Sequence, residues 1–469
     1  MSVKLNIDPL TRVSGFLKIE VQVENNKIID AKCTGSMFRG FELMLKGRNP
    51  LDVIYFTERI CGICSTAHSY VSSQAMEKAM GVKVSKLAMY IRDFIHGAEF
   101  LQNHLRHFYL YALPDYVRGP RISPVYNESL RDYRLPENIE QRINTNYIRA
   151  LEMSSMAHQI LALLAGKAPH NHGIFIGGVT SNLDANIIFT VEQKLKTISD
   201  FIEHNMLMDL HDIAEYYKDY FTKGSSGNNF LSYGLFDNYI EKDIFYVKPS
   251  AMIKGQLEGF NADYIDESIN NSWYEKDPKG DISSDRNKEG AYSFVKTARY
   301  KDEAMEVGPL ARMILSGEYK KGSASMDRIV CRVLEVNKIA MIMQNILKLI
   351  KESYISANSL EFKIYEIPSI AKGEALRDTT RGALGHWLTI EDKTINTYNI
   401  ITPSVWNLGP SESPTKSLGI VEKALIGTAI ENISSPVEVG RIVRSFDPCI
   451  SCATHIYGNN FMDIEYNII

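Results

Sequence analysis

The chain has 469 residues, 45% hydrophobic and 23% charged, and its 52 basic and 56 acidic side chains give a formal net charge of −4. That is enough chain to bury a sizeable core as one large domain or a few smaller ones. With no basic block, nothing points to nucleic acid as a partner. No run approaches the roughly 18 apolar residues of a membrane span; the most apolar stretch, Ile339–Ile350, is interrupted by Gln344, Asn345 and Lys348. Met1–Glu20 lacks a signal-peptide core, so the chain's own sequence predicts a cytoplasmic location, with membrane association or export left to a partner that carries the signal.

Leu5–Cys33 alternates apolar and polar residues (Leu17, Ile19, Val21, Val23) around Asn25-Asn26, which predicts a β-hairpin. Apolar residues recurring at three and four predict long amphipathic helices over about 50–80, 88–111, 137–165, 187–218 and 326–357. The segment 222–300 is rich in Gly, Asn, Asp, Ser and aromatics, with a turn at Asp277-Pro278-Lys279-Gly280, and reads as short strands and loops. A last helical part, 415–445, is broken at Asp447-Pro448. There is no internal repeat and no low-complexity linker. The expected fold is mainly α (α+β), a single domain with a central bundle of long helices and small peripheral β elements.

Four of the six cysteines form two C-x-x-C pairs, Cys61/Cys64 and Cys449/Cys452, with His68 and His455 shortly after them. One pair can grip a soft metal, and two pairs make a tetrathiolate site. The pairs stand at opposite ends of the chain, so only folding can join them, unlike a local zinc ribbon. On ligand chemistry alone, four thiolates suit zinc or an iron–sulfur cluster first. Cys33 and Cys331 lack partners at ligand spacing and read as buried small hydrophobes.

Arg59-Ile60-Cys61-Gly62-Ile63-Cys64 with His68, and Asp447-Pro448-Cys449-Ile450-Ser451-Cys452 with His455, resemble the two signature motifs of nickel–iron hydrogenase large subunits. Phe38–Glu42, His104–Asp115, Gly177–Thr180, Ser272–Tyr274, Glu306–Arg312, Arg381–Trp387 and Pro403–Pro410 resemble further family segments in family order, so the resemblance spans the whole chain.

The resemblance implies the hydrogenase large-subunit fold and reversible cleavage of H2 to two protons and two electrons. It implies nickel held by all four cysteines, Cys61 and Cys449 terminal, Cys64 and Cys452 bridging to an iron that carries carbon monoxide and cyanide. Splitting H2 needs a metal to take up electrons and a nearby base to take the proton, and Cys449 is the implied base. Arg381 is implied over the open coordination position, with Asp115 and Asp447 as its acidic partners, and Ser404 toward a cyanide. Glu42, the carbonyl of Ile400 and His455 are implied as ligands of a second site for magnesium or iron. His68, His104, His107, His170, His172 and His386 read as supporting residues.

With four of six cysteines committed, no iron–sulfur cluster is expected in this chain, which implies a small subunit that carries such clusters. The family ends at the histidine of the second motif after a maturation protease removes a tail. The implied division is therefore one domain over 1–455 and a removable tail, Ile456–Ile469. The chain departs from the family at Ser14, where Thr11-Arg12-Val13-Ser14-Gly15 has serine for a proton-accepting glutamate, leaving Glu20 and Glu58 as substitutes. It departs again at Thr380, which replaces a proline. A hydrogen sensor would share every ligand and is the alternative; a respiratory-complex relative would lack the cysteines, and a structural zinc protein would not account for Arg381 or Glu306–Arg312.

Overall fold

A computed structural model describes residues 2–120, 132–181, 183–276, 282–356, 365–412 and 417–453. The predicted turn at 277–280, His455 and the tail 456–469 lie outside them. The N-terminal region is an antiparallel sheet of β1 (Ser2–Ile7), β2 (Leu17–Glu24) and β3 (Lys27–Gly35). The predicted hairpin is β2–β3, and Asn25 and Asn26 both take left-handed backbone (φ 49° and 59°). Asparagine tolerates that conformation, and it matches the twist of the strands.

The predicted helix over 50–80 is two structures. Short helical turns run from Pro50 to Ile60, the chain extends through Cys61, and α1 (Ser65–Met80) follows. Arg39 is the reason. Its guanidinium takes the carbonyls of Arg59 (2.7 Å) and Ile60, which a continuing helix would have used.

Four longer helices follow. They are α2 (Lys86–Arg106), α3 (Glu137–Ala165), α4 (Ala185–Phe201) and α5 (Ser325–Ser356). Ser85 Oγ caps α2 by accepting the Ala88 N–H, and Asp184 caps α4 at the Ile187 N–H. Both α2 and α4 continue into π-helical turns, at His107–Ala112 and Ile202–Met206. Each of α2 and α4 packs against both α3 and α5. The core between them includes Ile95, Leu101, Ile143, Ile160, Val191 and Ile346.

Residues 222–300 form short strands and loops as expected, among them Phe230–Ser232, Ser250–Ile253 and Gln256–Gly259 in one small sheet. A second sheet of substance was not expected. It is the antiparallel meander β4 (Ile370–Thr379), β5 (Gly382–Glu391) and β6 (Thr394–Ile401), which lies against α1. With 46% helix and 22% strand the molecule is mixed α/β rather than mainly helical. In the last region, helix is confined to Ile420–Leu425 and α6 (Val437–Ser445), and Asp447 (φ 58°) turns the chain into the short helix Ile450–Ala453.

Candidate metal centre

Arg39 ties the two cysteine turns together, donating to the carbonyls of Ile60 and Ser451 (3.3 Å), and the N-terminal segment braces the second turn. The Ser14 N–H donates to the Pro448 carbonyl (3.2 Å) and the Ile450 N–H donates to the Ser14 carbonyl (2.7 Å). Gly15 has to be glycine here: its φ is 90°, and a Cβ would lie 3.0 Å from both Ile450 Cβ and Ser451 N. The result is four buried Sγ atoms, all within 4.8 Å of one another. Cys61 and Cys449 are 3.5 Å apart, Cys64 and Cys452 3.2 Å, and Cys449 and Cys452 2.8 Å, with no disulfide among them. The N–H groups of Ile63 and Cys64 both donate to Cys61 Sγ at 3.3 Å. Among the described residues, this is the one group of Cys, His, Asp and Glu side chains arranged to hold a metal ion. Thiolates this close and this dry repel one another unless a soft cation sits between them.

Within the set, hydrogen bonds from Cys452, Cys61 and Cys64 hold the Cys449 thiol well below its ordinary range, and Arg381 assists them against burial. Sharing a proton with Cys449 and Cys452 pushes Cys64 up, and burial does the same to Cys452. A metal cation among the four sulfurs would hold all of them as thiolates. Ser14 Oγ lies 3.6 Å from its sulfur.

Arg381 sits at the tip of the β4–β5 hairpin, a place that is usually wet. Here the tip is buried, with Thr380 0% and Arg381 3% exposed. Asp447 accounts for its placement: it accepts Arg381 Nε at its carbonyl (2.9 Å) and Nη2 at Oδ1 (3.0 Å). Asn103 (2.8 Å) and Arg332 (3.2 Å) hold the other carboxylate oxygen. Burial acts to raise the Asp447 pKa, but Arg381, Arg332 and His107 bring it down to about 2. Burial likewise disfavours the Arg381 charge, and Asp447 with the cysteines outweighs it.

A small cavity adjoins the sulfurs. Cys64, Cys449, Cys452, Ala67, His68, Thr380, Arg381, Leu384, Pro403 and Ser404 are on its wall. The Ser404 hydroxyl accepts the Cys449 N–H (3.1 Å), which leaves its own proton to donate. Arg381 Nη1 and Thr380 Oγ1 are buried with no protein partner. Donors set among Ala67, Leu384 and Pro403 suit small anionic acceptors held on a metal. The donor set therefore fits a thiolate-bound metal pair with such ligands.

The implied second site is different. Glu42 accepts the Lys296 ammonium (3.1 and 3.2 Å) and the Ile400 amide N–H (2.9 Å). Ile400 thus meets Glu42 through its amide rather than its carbonyl, and His455 is outside the described residues. Lys296 also reaches Glu267 (2.9 Å) and Asn399 Oδ1 (3.4 Å). One ammonium serves two carboxylates, the buried Glu42 and the half-buried Glu267, and burial together with the Glu267 charge pushes Glu42 up to about 7 against the pull of Lys296. Lys296, Glu267 and Asn399 were not foreseen, since a single lysine or asparagine on a strand carries no motif.

Asp115 requires a correction. It does not partner Arg381; its carboxylate is held by Arg444 (2.7 and 2.9 Å) and by Arg12. Asp447 occupies the near side of Arg381 and the arginines of the N-terminal loop and α6 claim Asp115 instead. Neither Glu20 nor Glu58 lines the cavity; Glu20 is salt-bridged to Lys4 on the N-terminal sheet. The histidines expected to support the site are partnered by protein groups, and His68 also lines the cavity. His68 bonds His386 (3.2 Å), His386 bonds Tyr398 (2.8 Å), His104 bonds Glu335 (2.9 Å), and His107 and His170 bond backbone carbonyls. His172 packs edge-on against Tyr55. Cys33 and Cys331 are buried in separate hydrophobic clusters.

A family model described as nickel-dependent hydrogenase matches residues 39–122 and 119–455. The chain is 36% identical to the periplasmic [NiFeSe] hydrogenase large subunit of Desulfomicrobium baculatum, over 97% of this chain and 95% of that protein. It is 28% identical to the hydrogenase-2 large chain of Escherichia coli K12, over 99% and 100%. A solved structure of the D. baculatum [NiFeSe]-hydrogenase superposes with a TM-score of 0.91 at 35% identity, covering 97% of this chain and all of that one. The [NiFeSe] hydrogenase of Desulfovibrio vulgaris Hildenborough gives 0.90 at 33% identity over the same share. A tetrathiolate site, a buried arginine above it and this full-length likeness in sequence and fold lead to one conclusion: the chain belongs to the nickel-dependent hydrogenase family.

Proposed function

We propose that the chain is the large, catalytic subunit of a nickel–iron hydrogenase, which cleaves and forms H2 reversibly. The observation that carries this reading is the convergence of Cys61, Cys64, Cys449 and Cys452 under the Asp447-anchored Arg381. The four sulfurs would hold nickel, with Cys64 and Cys452 shared with an iron that bears carbon monoxide and cyanide. When bound, the metal pair supplies the electron-accepting position at which H2 is polarised. The chain's own residues do the rest. Cys449 Sγ, with the Ser14 hydroxyl 3.6 Å away, would take the proton. Ser14 Oγ, next to it, passes the proton outward through its hydroxyl. Arg381 fixes positive charge over the cavity, and the apolar wall of Ala67, Leu384 and Pro403 keeps water out. The four long helices would form the central frame on which the two cysteine turns hang.

A magnesium ion beside Glu42 is supported by its oxygen-rich surroundings and by the net negative charge that Lys296 leaves uncompensated. Four cysteines at the centre and two buried elsewhere leave no set for an iron–sulfur cluster, so electrons would leave through a small subunit that carries such clusters. A maturation protease would remove the tail 456–469. Among the described residues no helix is long and apolar enough to cross a membrane. The periplasmic D. baculatum relative favours export with the partner over the cytoplasmic location expected from the sequence.

The test is hydrogen-dependent reduction of a viologen dye by the co-expressed heterodimer. The wild type should reduce it, and Cys449→Ser should abolish the activity. A wild type that is inert under H2 while holding zinc at the cysteines would overturn the reading.

A further inference from the structure

The cavity beside the sulfurs contains one more donor than the family resemblance supplies. Thr380, where the resemblance implies a proline, stands at the hairpin tip and is fully buried. Its backbone is held from behind: its carbonyl accepts Arg312 Nη2 (3.4 Å) and Arg332 Nη1 (3.5 Å). Its hydroxyl has no protein partner, though the residue lines a cavity shared with Cys64, Cys449 and Cys452. Buried hydroxyls nearly always find an acceptor. The neighbours that line this cavity do not provide one. Arg381 is itself a donor with an unused Nη1, and no acceptor on the wall lies within hydrogen-bond reach of the Thr380 hydroxyl. A ligand held in the cavity would supply the missing acceptor.

We propose that Thr380 donates its hydroxyl proton to an anionic diatomic ligand of the metal pair, a cyanide, as a positioning residue. Cyanide is the better acceptor than carbon monoxide because it carries the negative charge and exposes a nitrogen lone pair. The inference rests on the metal-centre reading above. A hydrogen bond at that nitrogen draws on a weakly antibonding lone pair and stiffens the C–N bond. Losing the bond therefore lowers the stretching frequency.

The experiment is infrared spectroscopy of the purified heterodimer as wild type, Thr380→Val, Thr380→Ser and Thr380→Pro, with nickel and iron measured in each. Valine keeps the shape and removes the hydroxyl; serine keeps the hydroxyl; proline is the residue of the family motif and removes it by another route. The expected result is a cyanide band moved to lower frequency in the valine and proline variants, with the serine variant matching the wild type. Cyanide bands that coincide in all metal-loaded variants would overturn the role of Thr380. Wild-type protein without any diatomic bands would overturn the metal-centre reading itself, which keeps the two failures distinguishable.

Discussion

Ser14 stands where a proton would leave Cys449, and a hydroxyl can pass a proton on but cannot keep one at neutral pH. Ser14→Ala should slow hydrogen oxidation by about 10- to 100-fold, the low end for a lost proton-transfer group because water can take its place. Nickel content and the infrared bands should stay unchanged. Equal rates in the two proteins would remove Ser14 from the proton route. The corrected residue, Asp115, has a different role. Arg12 and Arg444 overcome burial and lower its pKa to about 2, below the value of an unfolded aspartate. A depressed carboxylate stabilises the fold above the unfolded pKa and loses that contribution as pH falls through the folded one. Asp115→Asn should therefore cost about 2 kcal/mol or more near neutrality, seen as a lower urea midpoint, with the difference shrinking between about pH 4 and pH 2. A deficit that persists unchanged at low pH would point to packing instead. Cys61, Cys64, Cys449, Cys452 and Asp447 were legible because their spacing is itself the signal. Lys296 and the true partners of Asp115 were not, because a buried ion pair between distant segments leaves no local pattern.

The β4–β5 hairpin sets the position of Arg381. Gly382 makes the turn at φ 126°, and a Cβ there would lie 2.6 Å from Gly308 N and from Val307 Cγ2. Gly382→Ala should strain the turn by about 1–3 kcal/mol and displace the guanidinium, so activity should fall more steeply than stability. A variant with full activity would show that the arginine tolerates movement. This sheet was the element least legible in the sequence. The first half of β5, Gly382 to His386, is buried on both faces, so Gly382, Ala383, Leu384 and Gly385 show no polar–apolar alternation, and only the short run Leu388–Glu391 alternates. The hairpin β2–β3 was legible because one face is buried and the other wet, and its turn is Asn-Asn. The helix over 50–80 was overextended for the opposite reason. Its periodicity runs on, but Arg39, outside the predicted helix, captures the carbonyls that would have carried it through Cys61.

At the scale of the molecule, the N-terminal loop, the turn after Ile60 and the segment after α6 are separate pieces of chain that close on one set of sulfurs. The architecture makes sense if its purpose is to hold a metal pair dry, with Cys449 and Ser14 on one side and a donor-lined cavity on the other. The most direct measurement is an infrared spectrum of the heterodimer purified with its partner, first under air and then under H2. The account predicts carbon monoxide and cyanide stretches that shift when hydrogen is admitted. Protein that binds metal at the four cysteines yet shows no such stretches would contradict it.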